Sequence, residues 1–250
     1  MNYALLGYRA FVRLLLLCLT AALVVIAAGC DEKEKPPVRN VRLGPPPIVG
    51  IDGYAARVLP ATTVRLRSRP GGRGRVLARV GPRTEFGSPQ TLSIARRKGP
   101  WIAVRSSELG NRQLGWIPVK AIRPLKRTSL IKIDLSERTL TLTTHGIVQR
   151  TEAIAIGSPE TPTPPGTFFV TDKLPGPDFG AYYGCCILAL SGRQPNLPEG
   201  WSGGDRLAIH GTPTPDFGEA VTNGCLHLPQ ESLERLMREV PLGTPVEIRA

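Results

Sequence analysis

Ser129-Leu130-Ile131-Lys132-Ile133-Asp134-Leu135-Ser136-Glu137-Arg138-Thr139-Leu140-Thr141-Leu142-Thr143-Thr144 decides the fold class. Ile131, Ile133 and Leu135 alternate with polar residues, and Leu140 and Leu142 do so again beyond Ser136-Glu137-Arg138. A period of two is the mark of strands with one buried face, so the stretch reads as two strands around a turn. Working outward, Ala153–Gly157 and Val246–Ile248 read as further strands, and Leu207-Ala208-Ile209-His210 as a buried strand ending in His210. Pro162, Pro164 and Pro165 make 161–166 a loop or edge leading into a strand at Thr167–Thr171, because proline cannot donate to a central ladder. One helix stands out, near Gln230–Val240, where Leu233, Leu236, Met237 and Val240 recur at helical spacing. The expected fold is mainly β with one packed helix.

The chain has 250 residues, 41% of them hydrophobic, with 27 Gly and 25 Pro. That is enough apolar material for a core, which excludes wholesale disorder. So many Gly and Pro without a strict period exclude collagen and long coiled coils. The net charge of +12 is unevenly spread: residues 57–125 carry fifteen Lys or Arg against Glu85 and Glu108, while 126–250 are slightly acidic. The basic segment contains short runs such as Val64–Arg67, Val76–Val80 and Trp101–Val104, broken by turns at Pro70-Gly71-Gly72 and Gly81-Pro82. Many strands in so short a segment predict a compact barrel or sandwich. Val64-Arg65-Leu66-Arg67-Ser68-Arg69-Pro70-Gly71, with Gly115-Trp116-Ile117, resembles bacterial SH3-like domains, which implies a module that targets cell-wall polymers. Its charge suits an anionic wall polymer, and equally a solvated basic face. Trp101 and Trp116 read as core, with stacking on sugar as the other reading.

Arg9 and Arg13 precede an apolar run from Leu14 to Ala28, then Ala27-Ala28-Gly29 lead into Cys30. This order describes a signal peptide over 1–29, too short to span a bilayer comfortably. A cysteine directly after small residues resembles the lipobox of bacterial lipoproteins, which implies a lipid on Cys30; Ala27 stands where that motif prefers leucine. An uncleaved anchor is the other reading. Residues 30–56 form a charged, Pro-rich linker. The expected location is the outer face of the cytoplasmic membrane, where nucleic acid is a poor partner.

With Cys18 in the leader and Cys30 lipidated, Cys185, Cys186 and Cys225 remain, and no CxxC spacing points to zinc. Adjacent Cys185 and Cys186 are expected as two buried thiols, with a strained vicinal disulfide as the other reading. Cys225 follows His210 by fifteen residues, and Thr222-Asn223-Gly224 before it is turn-prone. A thiolate is the nucleophilic form of cysteine, an imidazole can generate it, and a glycine turn can aim backbone amides at an oxyanion. By spacing alone, a buried structural cysteine is as good a reading.

Thr161-Pro162-Thr163-Pro164-Pro165-Gly166-Thr167-Phe168, Ile209-His210-Gly211-Thr212 and Thr222-Asn223-Gly224-Cys225-Leu226, in this order, resemble the catalytic domain of L,D-transpeptidases, the YkuD family. The resemblance covers 126–250. It implies acyl transfer on peptidoglycan stem peptides without a cofactor, with Cys225 as nucleophile and His210 as proton acceptor and donor. Asn223, Gly224 and Cys225 would supply oxyanion-hole amides, and Gly211, Thr212, Thr222, His227 and Tyr183 would meet substrate. Two residues after the nucleophile the family usually has Arg or Asn; here His227 is either an orienting contact or a neutral packed side chain. Tyr182–Cys186 falls where a flap borders the groove. The rival readings are an L,D-carboxypeptidase with the same nucleophile and a non-catalytic wall-binding lipoprotein. A low pKa at Cys225, seen as fast alkylation at neutral pH, would separate the enzymes from the latter, which an inert thiol would favour.

Overall fold

The computed structural model describes residues 53–250, so the proposed signal peptide, Cys30 and nearly all of the linker lie outside the described residues. Strands β1 (Tyr54–Val58), β2 (Val64–Arg67), β3 (Val76–Val80), β4 (Thr91–Lys98), β5 (Trp101–Arg105), β6 (Gly115–Pro118) and β7 (Ile122–Lys126) form one sheet in the order β3-β2-β6-β5-β4-β1-β7. All its pairings are antiparallel. Leu66, Leu92, Ile102, Val104 and Ile117 fill its interior. Gly115 permits the close approach of β6 to β2, since a Cβ there would sit 2.8 Å from Cβ of Leu66. The first half of β4 is buried, while Arg96, Arg97 and Lys98 at its outer end are exposed. Trp101 and Trp116 are half-buried.

The second sheet uses β8 (Ser129–Asp134), β9 (Thr139–Thr144), β10 (Ile147–Ala153), β12 (Gly166–Pro175), β13 (Cys186–Arg193), β14 (Arg206–His210), β16 (Leu226–His227) and β17 (Pro245–Arg249), ordered β10-β9-β8-β17-β12-β13-β14-β16. Only β17 with β8 and β14 with β16 run parallel. The opening stretch folds as its alternation requires: Ile131, Ile133, Leu140 and Leu142 are buried, and Asp134 accepts the Glu137 amide across the turn. The Pro-rich 158–165 segment is a loop, and β11 (Ile156–Gly157) before it pairs parallel with β15 (Ala220–Thr222).

Helix α1 (Gln230–Glu239) starts after Pro229 and buries Leu233 and Leu236 in the second core. Glu231 in its first turn and Arg238 in its last complement the helix dipole. Residues 53–250 belong to one compact unit in which the two sheets touch. Asn111 Nδ2 donates to the Arg193 carbonyl at 2.7 Å, and Thr84 Oγ1 to Asp172 Oδ1 at 2.5 Å.

Cys185 and Cys186 form a disulfide, not the pair of buried thiols expected. The chain does not run extended through them. It bends at Gly184 (φ 59°), and Gln230 Oε1 holds the Cys185 amide at 3.1 Å, so β13 begins only at Cys186. Cys185 thus lies outside the ladder, where the alternation of a strand does not send its side chain to the face opposite Cys186.

Candidate active site

Strand β14 divides its residues between two surfaces. Leu207 and Ile209 enter the main core, while Ala208 packs with Ile187, Ala189 and Leu174 beneath Tyr183 and Cys225. His210 ends the same groove-facing row, as the period of two dictates. The parallel register of β14 and β16 sets Ile209 beside Leu226 and His210 beside His227, which brings the turn carrying Cys225 alongside. Cys225 and His210 therefore share one cavity of about 640 Å³, with Tyr182, Tyr183 and Asn223 also on its wall.

The turn before Cys225 is held from behind. Thr161 Oγ1 donates to the Thr222 carbonyl at 2.8 Å, and Thr163 Oγ1 to the Gly224 carbonyl at 2.9 Å. Between them, Gln194 Nε2 donates to the Asn223 carbonyl at 3.2 Å and to the Thr161 and Pro162 carbonyls at 3.0 and 3.1 Å. In a trans peptide the carbonyl and the following N–H point in opposite directions. Fixing three successive carbonyls on one side thus turns the amides of Asn223, Gly224 and Cys225 to the other. The Gly224 amide is the one already engaged, donating to Thr222 Oγ1 at 3.0 Å. Gly224 has φ 105°, and a Cβ there would lie 2.0 Å from Gln194 Nε2, so both conformation and clamp require glycine.

His210 is buried, and its Nδ1 lies 2.6 Å from the Gly211 carbonyl. Only a protonated Nδ1 can satisfy that acceptor, which leaves Nε2 as the basic nitrogen. Burial is the main cause that brings the His210 pKa down to about 4; the Gly211 carbonyl and Asp216 push the other way, and charge on His227 adds to the fall. Burial likewise pushes the Cys225 thiol up to about 11, although the side chain keeps an opening onto the cavity. The thiol donates to the Arg206 carbonyl at 3.9 Å. The resting pair is thus neutral thiol and neutral imidazole, the state that the alkylation criterion assigns to a binding module; an enzyme with this pair has to move the thiol proton to His210 within the chemical step. The reason is desolvation, with no cation placed to offset it.

His227 is buried beside this pair, its ring 4.6 Å from that of His210. Its Nδ1 lies 2.8 Å from Asp216 Oδ2 and its Nε2 3.2 Å from the Tyr182 hydroxyl. Tyr183, half-buried, has its ring 4.9 Å from His210. Gly211 and Gly184 cross closely: a Cβ on Gly184 would lie 2.9 Å from the Gly211 backbone, so the flap residues rest on the residue after His210.

Of the candidates named from the sequence, Cys225, His210, Asn223 and Tyr183 line the cavity. Thr222 and Gly224 sit behind it as parts of the turn, and His227 lies one layer deeper. Gly211 is buried under the flap, and Thr212 Oγ1 accepts the Thr214 amide. Sequence reasoning missed Gln194, Asp216 and Arg206, and gave Thr161 and Thr163 no role beyond their motif. Gln194 meets the turn from 29 residues away in the chain. Among the described residues no group of three or more His, Cys, Asp or Glu is placed to hold a metal.

The family model of the L,D-transpeptidase catalytic domain, YkuD, matches residues 128–248. Putative L,D-transpeptidases YkuD of Bacillus subtilis and Bacillus licheniformis are each 34% identical over 121 residues, covering 47% of this chain. The chain spans 64% of the length of these curated relatives. Among solved structures, an L,D-transpeptidase from Mycobacterium smegmatis aligns at 20% identity over 64% of this chain and 82% of its own, with a TM-score of 0.40. L,D-transpeptidase 3 from Mycobacterium tuberculosis aligns at 18% identity over 55% and 74%, with a TM-score of 0.41. The matched residues 128–248 include nearly all of the eight-stranded sheet and the turn carrying Cys225, so it is this part of the chain that is similar to L,D-transpeptidase catalytic domains.

Proposed function

We propose that the protein is a peptidoglycan L,D-transpeptidase that forms links between third residues of neighbouring stems. The observation that carries this reading is the Cys225 turn: three carbonyls clamped from behind, with the thiol and the His210 imidazole on one cavity wall. Cys225 Sγ attacks the carbonyl of the third residue of a donor tetrapeptide as His210 Nε2 takes the thiol proton. The amides of Asn223 and Cys225 receive the oxyanion. The tetrahedral adduct expels the terminal D-Ala amine, which takes the proton from His210, and a thioester remains. The side-chain amine of an acceptor's diamino acid attacks the thioester, passes a proton to His210 and displaces Cys225, which recovers it. No oxidant, metal or nucleotide enters, since the thioester stores the energy of the broken amide.

In the same reading Cys30 carries a lipid on the outer face of the cytoplasmic membrane, and the N-terminal sheet is an SH3-like module facing an anionic wall polymer. Crowded arginines support the second point. Arg57 and Arg105 have their pKa values lowered by burial first and then by Arg123 and Arg96 respectively, so an arriving anion relieves repulsion.

The test is incubation with disaccharide-tetrapeptide muropeptides, read by mass spectrometry, beside the Cys225→Ala protein. A dimer lacking one D-Ala, absent with the variant, is expected. Shortened monomer alone would show water resolving the thioester, a carboxypeptidase. Untouched substrate that nonetheless binds would leave a wall-binding lipoprotein.

A further inference from the structure

Among the described residues every exposed aromatic side chain, Phe86, Phe179, Tyr182 and Trp201, lines the cavity that holds Cys225. Single exposed apolar residues need no explanation, but four gathered in one cleft mark a binding surface. Phe86 belongs to the N-terminal sheet, in the loop between β3 and β4, and its ring meets Phe179 edge to face at 5.8 Å. Phe179 lies 6.4 Å from Tyr183, and Tyr183 4.9 Å from His210. A row of rings therefore runs from the catalytic imidazole to the other sheet.

The loop is fastened at two points beside Phe86. Thr84 Oγ1 donates to Asp172, which is fully buried, and the Glu85 carboxylate accepts from Arg206 Nη1 at 2.6 Å. Arg206 is itself fixed through the Leu190 carbonyl and Thr171 Oγ1. Phe86 is thus held over the groove by its neighbours. The charges at this end are paired, Glu85 with Arg206 and Arg193 with Asp205. What remains on offer is aromatic surface with a polar rim. That combination suits a pyranose ring, whose C–H faces lie on aromatic rings while its hydroxyls reach the rim.

Distance points to the same ligand. An extended peptide advances roughly 3.3–3.6 Å per residue, so three ring-to-ring steps outrun the residue under attack. A groove of that length has room for the end of the donor stem that is joined to glycan. We propose that Phe86, with Phe179 and Trp201, binds the sugar at the glycan-linked end of the donor stem. The N-terminal sheet then sets donor specificity as part of the catalytic groove. The identity of the donor rests on the transpeptidase reading above.

The test is calorimetric titration of the full chain carrying Cys225→Ala, which cannot turn over, with disaccharide-tetrapeptide and with free tetrapeptide. The sugar-bearing ligand is expected to bind roughly five- to tenfold tighter. Adding Phe86→Ala should erase that advantage and leave the free tetrapeptide as it was. Phe86 is more than a third exposed, so its truncation leaves the core intact, and Phe86→Leu checks that the ring rather than bulk matters. A sugar advantage that survives Phe86→Ala, that the parent never shows, or a loss equal for both ligands overturns the inference. Because binding is read without turnover, the two readings fail separately. Absence of D-Ala release by the Cys225 protein would sink the transpeptidase reading alone, and release without sugar preference would sink this one alone.

Discussion

At the scale of single residues, the site works by desolvation and by partners far away in sequence. His210 with a pKa near 4 is neutral through the physiological range, and Cys225 near 11 is protonated there. Proton transfer then belongs to the chemical step itself. The acid limb of kcat/KM is expected near pH 4, where an unperturbed imidazole would place it near about 6.5. Alkylation of Cys225 by iodoacetamide should be slow at pH 7 and still climbing at pH 9; a plateau below pH 8 would contradict the buried, neutral thiol. Charge on His227 pulls the His210 pKa down, so His227→Asn should move the acid limb upward in a pH–rate profile. Gln194→Ala removes its bonds to three carbonyls, which is expected to cost about 1–3 kcal/mol in thermal unfolding. It should also slow acylation on the order of a hundredfold, by freeing the oxyanion amides to turn. That Cys225 and His210 share a cavity wall was legible because both sit in short motifs. Gln194 and Asp216 were not, since their partners lie 29 and 11 residues away and no local spacing marks them.

At the scale of elements, period and turn chemistry told most of the story. The alternation of 129–144 gave β8 and β9, and the helical spacing of Leu233, Leu236 and Met237 gave α1, one residue shorter than read. Glycine meant something different at each site, and sequence could not say which. At Gly115 it allows two paired strands to approach closely, while in the turn before Cys225 it supplies a left-handed backbone against a buried amide. Gly224→Ala separates that role from general stability. A side chain at φ 105° costs on the order of 1–3 kcal/mol, and its Cβ would strike Gln194. The variant should keep the β-sheet circular dichroism of the parent and lose transpeptidation; full activity would mean the turn does not hold the amides. The Pro-rich loop was read as a connection, whereas its Thr161 and Thr163 hydroxyls are two of the three groups that orient that turn. A loop's hydrogen-bond targets lie outside any periodicity.

At the scale of the whole molecule, one compact unit combines a basic sheet with a slightly acidic one that carries Cys225 and His210. The excess charge of 57–125 finds few acidic partners within the described residues: Glu85 is committed to Arg206 of the other sheet. Arg96, Arg97 and Lys98 project from the outer half of β4, away from the buried half that fills the core. If this face holds the enzyme on an anionic wall polymer, attachment should be screened by salt while small-substrate chemistry is not, since His210 and Cys225 are shielded by burial. Binding of the protein to isolated wall material is therefore expected to fall severalfold between about 50 and 500 mM NaCl, as the Debye length shrinks to a few ångströms. Replacing Arg96, Arg97 and Lys98 by Ala should flatten that dependence. Turnover of a soluble disaccharide-tetrapeptide should stay level in both cases. Binding indifferent to salt would mean that the basic sheet is a solvated face and that the wall is engaged through the groove alone.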